Sequence, residues 1–381
     1  MDGQATGGTL RFFRDLPDPR AHNVIHKLHD MLVIAICAVI CGADGWIEVA
    51  EFGRSKQAWF KSFLDLPGGI PSHDTFGRVF ARLNPEAFER CFTAWTGALP
   101  ATTGGRRLIA IDGKAIRRSF EHAWDSSGMT QLVSAFVEAN HIVFGQLAVA
   151  EHANEIETIP RLLALLDLSD ATVTIDAIGC QSEIAQQIVE AEGDYVLALK
   201  QNQPTLHRKV TTLLDEAIVD GFDGMRHDKF ESVDGDHGRI ETRRVWVTDE
   251  VHWLGDELLE HWPGLASVAA VECQREDLST GKTGTERRYF ISSRKTLDAK
   301  AMAEAVRRHW SVENQLHWQL DVSFNEDQRR IRKHHGAENY SRLCRLALNL
   351  LKRDKSVKIG VHGKRLKAGW DEPYLLRVLT A

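Results

Sequence analysis

Two apolar runs in this chain lead into aspartate. Leu108-Ile109-Ala110-Ile111 is followed by Asp112, with Lys114, Arg117 and Arg118 just beyond. Ala171-Thr172-Val173-Thr174-Ile175 is followed by Asp176. A third run, Tyr195 to Leu199, leads into Lys200, Asn202 and Gln203. A carboxylate at the end of a buried strand is held rigidly at the rim of a sheet. Two such acids and a helical glutamate suit Mg²⁺ or Mn²⁺, which take oxygen donors and bind substrate phosphate. The helical candidate is Glu313, four residues before His317 and just after Arg308 and His309. Two ions roughly 4 Å apart activate an attacking oxygen and stabilise a leaving one. Carboxylate-held metal beside Arg and Lys points to phosphodiester chemistry. Lys114, Arg117, Arg118, Lys200, Asn202, Gln203 and Arg308 are the expected phosphate contacts. Asp321, Glu326 and Asp327 compete with Glu313 as the third acid.

These residues need a scaffold, and the hydrophobic pattern supplies one. Residues 1–100 read as helical, with Leu28, Met31, Leu32, Ala35, Ile36 and Val39 on one stripe. Ser72 is a good N-cap for a short helix bearing Arg78 and Arg82, an arrangement that resembles a helix-turn-helix. Beyond the linker at 100–105, strands are expected at Leu108–Asp112, Gln131–Glu138, His141–Ala150, Val173–Asp176 and Tyr195–Leu199. Helices at Ile156–Leu166 and Gln181–Ala191 separate the later ones. The order implies an α/β fold with a mixed sheet flanked by helices. Residues 101–204 and 293–381 form the expected catalytic domain, and 205–292 a β-rich insertion. In that insertion His237, Arg239, Arg243 and Arg244 could grip DNA, with ordinary strand-surface charge as the equal rival. Helical periodicity resumes at Asp298 and passes Gln319. It puts Trp310 and Trp318 on nearly the same side, where core packing is preferred to base stacking.

Length and composition bound the rest. A chain of 381 residues with 43% hydrophobic and 26% charged content is a folded protein of two or three units. Its six cysteines are scattered and form no Cys-x-x-Cys pair, which fits a reduced, cytoplasmic protein. The apolar run at 31–43 is 13 residues long, short of the roughly 20 a membrane helix needs. The formal net charge is −6. From Gln328 to Ala381 there are 14 Lys and Arg against four Asp and Glu, a net +10, which leaves −16 for residues 1–327. A basic tail on an acidic body suggests nucleic acid. Within it Lys364, Arg365 and Lys367 are expected in an exposed, glycine-flanked loop that contacts phosphates.

Taken together, IDGK around Asp112, TIDAIGCQ around Asp176, LALKQNQ and HWSVENQLHWQLDVSFNED resemble the DDE transposases of bacterial insertion sequences. The similarity is strongest to the branch containing the H-repeat-associated proteins. It extends to the HGRIETRR, LALNLLKR and GKRLKAGW segments, and so covers nearly the whole chain. The resemblance implies an RNase H-like fold, with Asp112, Asp176 and Glu313 as a triad for two Mg²⁺ or Mn²⁺ ions. It also implies a homodimer on DNA, acting on element ends and target DNA and associated with the nucleoid when bound. The chain departs from the wider pattern at His309, where an arginine is usual, and at Leu320, where a lysine is usual. A catalytically inactive DNA-binding relic and a structure-selective nuclease on the same fold are the alternatives.

Overall fold

The computed structural model describes residues 8–21, 24–99, 106–120, 128–150, 153–236 and 238–380. Helices α1 (Leu28–Ile40), α2 (Trp46–Ser55), α3 (Gln57–Phe60), α4 (His73–Arg82) and α5 (Pro85–Gly97) come first. They precede β1 (Arg107–Ala115), β2 (Gln131–Val137), β3 (Ile142–Ala148), α6 (Glu155–Leu163) and β4 (Ala171–Ile175). Next are α7 (Ser182–Glu190), β5 (Asp194–Leu199), α8 (Pro204–Val219), β6 (His227–Asp236), β7 (Arg239–Thr248) and α9 (Asp256–His261). The chain closes with β8 (Ser267–Asp277), β9 (Thr283–Ser292), α10 (Ala299–His309), α11 (Trp318–Phe324), α12 (Gly336–Arg353), α13 (Val361–Trp370) and α14 (Glu372–Thr380).

The strands belong to one mixed sheet ordered β3-β2-β1-β4-β5-β9-β8-β7-β6. β1, β4 and β5 pair in parallel, whereas β2–β3 and the run from β5 through β9 to β6 pair antiparallel. The chain divides into two compact units. One comprises Met1–Thr103, Gly113–Asn154 and Val312–Ala381; the other comprises Gly104–Asp112 and Glu155–Ser311.

In the first unit α1 is buried almost all round, as expected of a helix apolar on every face. It packs on α12, which also meets α4, α5 and β3. Buried charges on α12 are paired: Arg342 Nε donates to Glu89 Oε2 at 2.5 Å, and both side chains are fully buried. Local chemistry fixes the helix starts. Ser72 Oγ accepts from the Thr75 amide at α4, and Asn84 Oδ1 accepts from the Ala87 amide at α5, where Pro85 fills the first turn.

In the second unit α10 lays Ala299, Met302, Ala305 and Val306 on a sheet face built by Leu108, Val196, Val245, Val247, Ala269, Val271 and Phe290. The 205–292 segment, expected to be β-rich, carries the four strands β6 to β9. β6 pairs with β7 along its whole length, from His227↔Thr248 to Asp236↔Arg239. Its charged, glycine-containing sequence carries no apolar alternation that would mark a strand. Among the described residues no helix is long and apolar enough to cross a membrane.

Candidate active site

β1 and β4 run in register from Arg107↔Ala171 to Ile111↔Ile175. Asp112 and Asp176 are the residues that follow the paired stretch on each strand. Both half-buried acids therefore stand at the same level, where the parallel pairing stops. β1 itself continues to Ala115, so Asp112 ends a pairing and not a strand. Asp176 also caps the 3₁₀ turn Ala177–Gly179, its Oδ1 accepting from the Ile178 amide at 3.2 Å. That turn is braced from the end of β5. Asn202 Nδ2 donates to the Ala177 carbonyl at 2.6 Å, and Gln203 Nε2 donates to the Cys180 carbonyl at 2.9 Å. The two amides expected to meet phosphate instead hold the loop that follows Asp176. His309 Nδ1 lies 3.0 Å from Thr174 Oγ1 and ties the end of α10 to the strand that leads into Asp176. The sequence reading missed Glu155 at the start of α6. Burial, and then the charge of Asp176, push its carboxyl up.

In the other unit Glu313 sits on a segment that sequence periodicity reads as a continuous helix. The structure breaks that helix: α10 ends at His309, and Glu313–His317 is a π-turn closed by the Trp318 amide donating to the Glu313 carbonyl. Such turns concentrate at functional sites. The Glu313 carboxylate is about half exposed and lies 3.4 Å from His317 Nδ1. Lys352 Nζ donates to the Gln315 carbonyl at 2.6 Å, and burial pushes its ammonium down to about 7. The rival acids act as counter-ions. Asp321 pairs with Lys114, and Asp327 pairs with Arg117 Nε at 3.2 Å. Glu326 is buried beside Arg345 at 2.9 Å and Lys114 at 3.6 Å. Burial would raise its carboxyl, but Arg345, Lys114 and Arg329 bring it down to about 2.

Comparison with known proteins identifies the family. A model described as "Transposase DDE domain" matches residues 103–350, and one described as "DDE_Tnp_1-associated" matches residues 10–96. The chain belongs to the DDE-domain transposase family. A relative in Escherichia coli O157:H7, "Putative transposase YncI", is 40% identical over 98% of this chain and 94% of its own length. "H repeat-associated putative transposase YhhI" of Escherichia coli K12 is 37% identical over 96% of each chain. Among solved structures, the cryo-EM structure of a piggyBac transposase synaptic complex with hairpin DNA aligns at a TM-score of 0.42 and 12% identity. The alignment covers 100% of this chain and 78% of that one. The sheet order β3-β2-β1-β4-β5 is the RNase H-like arrangement that the transposase resemblance implied.

The remaining expected DNA contacts of this transposase fall into three groups. Arg117, Arg118, Lys200 and Arg239 are exposed, Arg117 with its pairing to Asp327. Others are more closely engaged. Lys114 has a largely buried side chain between Asp321 and Glu326, Arg308 lies 3.6 Å from Glu304, and Arg243 pairs with Asp234 and Glu241. His237 lies outside the described residues. The third group corrects an expectation. Residues 361–370 form α13, not an exposed loop. Lys364 is 7% exposed and donates to the Leu351 carbonyl at 2.8 Å, and Arg365 is 6% exposed and donates to the Val39 carbonyl at 2.9 Å. Neither can reach a phosphate, because burial removes the two groups from solvent. Lys367 pairs with Asp371 at 2.9 Å. Trp310 and Trp318 are also corrected: they are 49% and 54% exposed, not packed in a core. The break at Trp310 and the π-turn interrupt the periodicity that would have put both on one buried stripe.

Proposed function

We propose that this chain is a DNA transposase that cuts a phosphodiester at the end of a mobile element and joins the freed 3′-OH to target DNA. The observation that carries the reading is the matched placement of Asp112 and Asp176 on paired parallel strands. Carboxylate oxygens on a rigid rim fit Mg²⁺ or Mn²⁺, and Glu313 is the proposed third ligand. Bound there, two such ions would activate the attacking oxygen and offset charge on the leaving one.

The chain's own groups have separable roles. Asn202 and Gln203 keep the Ala177–Gln181 loop, and with it Asp176, from drifting. His309 secures the strand through Thr174. His317 orients the Glu313 carboxylate, and Lys352 fixes the π-turn beneath it. Arg117, Arg118, Lys200 and Arg308 approach phosphates. In the first step water attacks phosphorus and the P–O3′ bond breaks, leaving a 3′-OH. In the second, that hydroxyl attacks a target phosphorus in line and displaces another 3′ oxygen. The protein is proposed to work in the cytoplasm on nucleoid DNA as a homodimer.

The test substitutes each acid in turn. Asp112→Asn, Asp176→Asn and Glu313→Gln should each abolish Mg²⁺-dependent cleavage of an element end while DNA affinity and melting temperature stay near wild type. Asp321→Asn should be milder, since that acid serves Lys114. Wild-type cleavage by either Asp variant would refute the metal assignment. Cleavage without joining to a second duplex would favour a structure-selective nuclease, and no cleavage by wild type would favour an inactive relic.

A further inference from the structure

The first unit contains a groove of about 900 Å³ that the proposed chemistry does not use. One wall is α4. The other is the Arg330–His334 segment, which is locked in place: the His335 amide donates to the Ala81 carbonyl at 3.2 Å. The fully buried Asn339 then donates to the carbonyls of Phe80 and Leu83 at 2.8 and 2.9 Å. The floor is apolar. Trp46 lies across α4 and stacks on Phe80 with ring centres 4.7 Å apart, and Gly77 leaves room for the indole, since a Cβ there would come within 3.3 Å of it. Ile47 beside it is 61% exposed.

The rim is cationic in an unusual way for this molecule. Arg78, Arg82, Arg330 and Lys333 line the groove and are all exposed. Among the described residues none of the four has a carboxylate in ion-pair range, and Arg78 makes only a 3.5 Å contact with Thr75 Oγ1. Three acids also line the groove: Asp44, Glu48 and Asp74. Asp44 accepts from Asn325 Nδ2 at 2.6 Å, and Asp74 lies 3.6 Å from His73 Nε2. With Arg332, whose Nε donates to the Arg118 carbonyl, the lining holds five cations against these three acids, so the groove is net positive and a polyanion relieves the repulsion among its cations.

The geometry points to unpaired DNA as the occupant: a short single strand with its bases on the Trp46–Ile47 floor and its phosphates on Arg78, Arg82, Arg330 and Lys333. A duplex offers a protein its phosphates outside and its bases within, so a predominantly apolar floor would be wasted on it. A single strand presents both, and proteins that hold it combine a cationic track with an apolar or aromatic platform. The inference rests on the reading of this protein as one that acts on DNA, and it adds that strand-separated ends are held by this groove.

The test uses the full chain in EDTA, so that binding is read without cleavage. Fluorescein-labelled oligo(dT) and a duplex of equal length are titrated over a range of salt. The variant carrying Arg78→Gln, Arg82→Gln, Arg330→Gln and Lys333→Gln should bind oligo(dT) at least tenfold more weakly. Its salt dependence should be shallower by about 0.7 per lost phosphate contact. A second variant, Ile47→Glu, changes an exposed floor residue and should also weaken oligo(dT) binding, with duplex binding much less affected. Unchanged oligo(dT) affinity and slope in the folded quadruple variant overturns the inference, as does a loss confined to the duplex. Either result leaves the transposase reading standing if the Asp112 and Asp176 variants still lose cleavage. Failure of the wild-type protein to bind any DNA would overturn both.

Discussion

Arginines are dense on the antiparallel strands β7 and β9 and dense again around the α4 groove, but the two sets are arranged differently. Arg243, Arg244, Arg287 and Arg288 each have a carboxylate at hand. Arg243 lies 3.0 Å from Asp234, Arg244 2.8 Å from Glu231, Arg287 2.6 Å from Glu272, and Arg288 2.8 Å from Glu286. Arg78, Arg82, Arg330 and Lys333 have none among the described residues. The strand set neutralises itself and presents little net field. The groove set holds its charge available. Where the cations of an acidic protein lie says less about its partners than whether they are already paired.

The comparison can be pressed hardest at its buried extreme. Arg342→Met would leave Glu89 charged and fully enclosed, which should cost about 3–5 kcal/mol in chemical unfolding. Burial already pushes the Glu89 carboxyl up, with Arg342 opposing that rise. Without Arg342 the folded protein would hold the Glu89 proton to higher pH than the unfolded chain does. The deficit should therefore grow as pH rises above the ordinary carboxylate range and shrink toward acid. A pH-independent deficit would mean that lost packing, not stranded charge, dominates.

Next comes the basic tail. Lys364→Ala with Arg365→Ala strands the carbonyls of Leu351 and Val39, and should cost about 1–3 kcal/mol per stranded group. The salt slope of DNA binding should not move in the variant that remains folded. A shallower slope would show that these side chains leave their buried seats to meet DNA. The smallest effect is expected on the strands. Arg244→Ala should change stability by about 1 kcal/mol, because pairs on a partly solvated strand surface contribute little, and should leave DNA affinity unaltered. A loss of affinity there would remove the distinction between paired and available cations.

Much of the candidate site could be read from the chain because its information is local. Leu108–Ile111 and Ala171–Ile175 are apolar runs that read as buried strands, and the acids after them fall by chain continuity where the β1–β4 pairing stops. Ser72 announces the start of α4 for the same reason. What stayed hidden depends on partners far away in sequence. Gly363 and Gly369 flank the Lys364–Lys367 cluster and suggest a loop, and nothing local shows that Lys364 is satisfied by the Leu351 carbonyl. β6 has no apolar face, so its pairing with β7 left no periodic trace. The loop-bracing role of Asn202 and Gln203 requires knowing that the end of β5 meets the turn after β4. The π-turn has no residue-type signature, so the sequence alone puts Trp310 and Trp318 on one stripe.

That turn gives the chain an unusual sensitivity to length. A π-turn is, in effect, an α-helix with one surplus residue. Deleting a single residue between Glu313 and His317 would let the backbone heal into regular α-helix. Everything from Trp318 onward would then swing by about 100° relative to Glu313, the angular step of one residue at 3.6 per turn. Substitutions at Asn314 or Gln315 can be absorbed by side-chain adjustment, whereas a one-codon deletion would re-aim the glutamate. A loss of one residue here would leave the composition of the segment almost unchanged and alter the direction in which its acid faces.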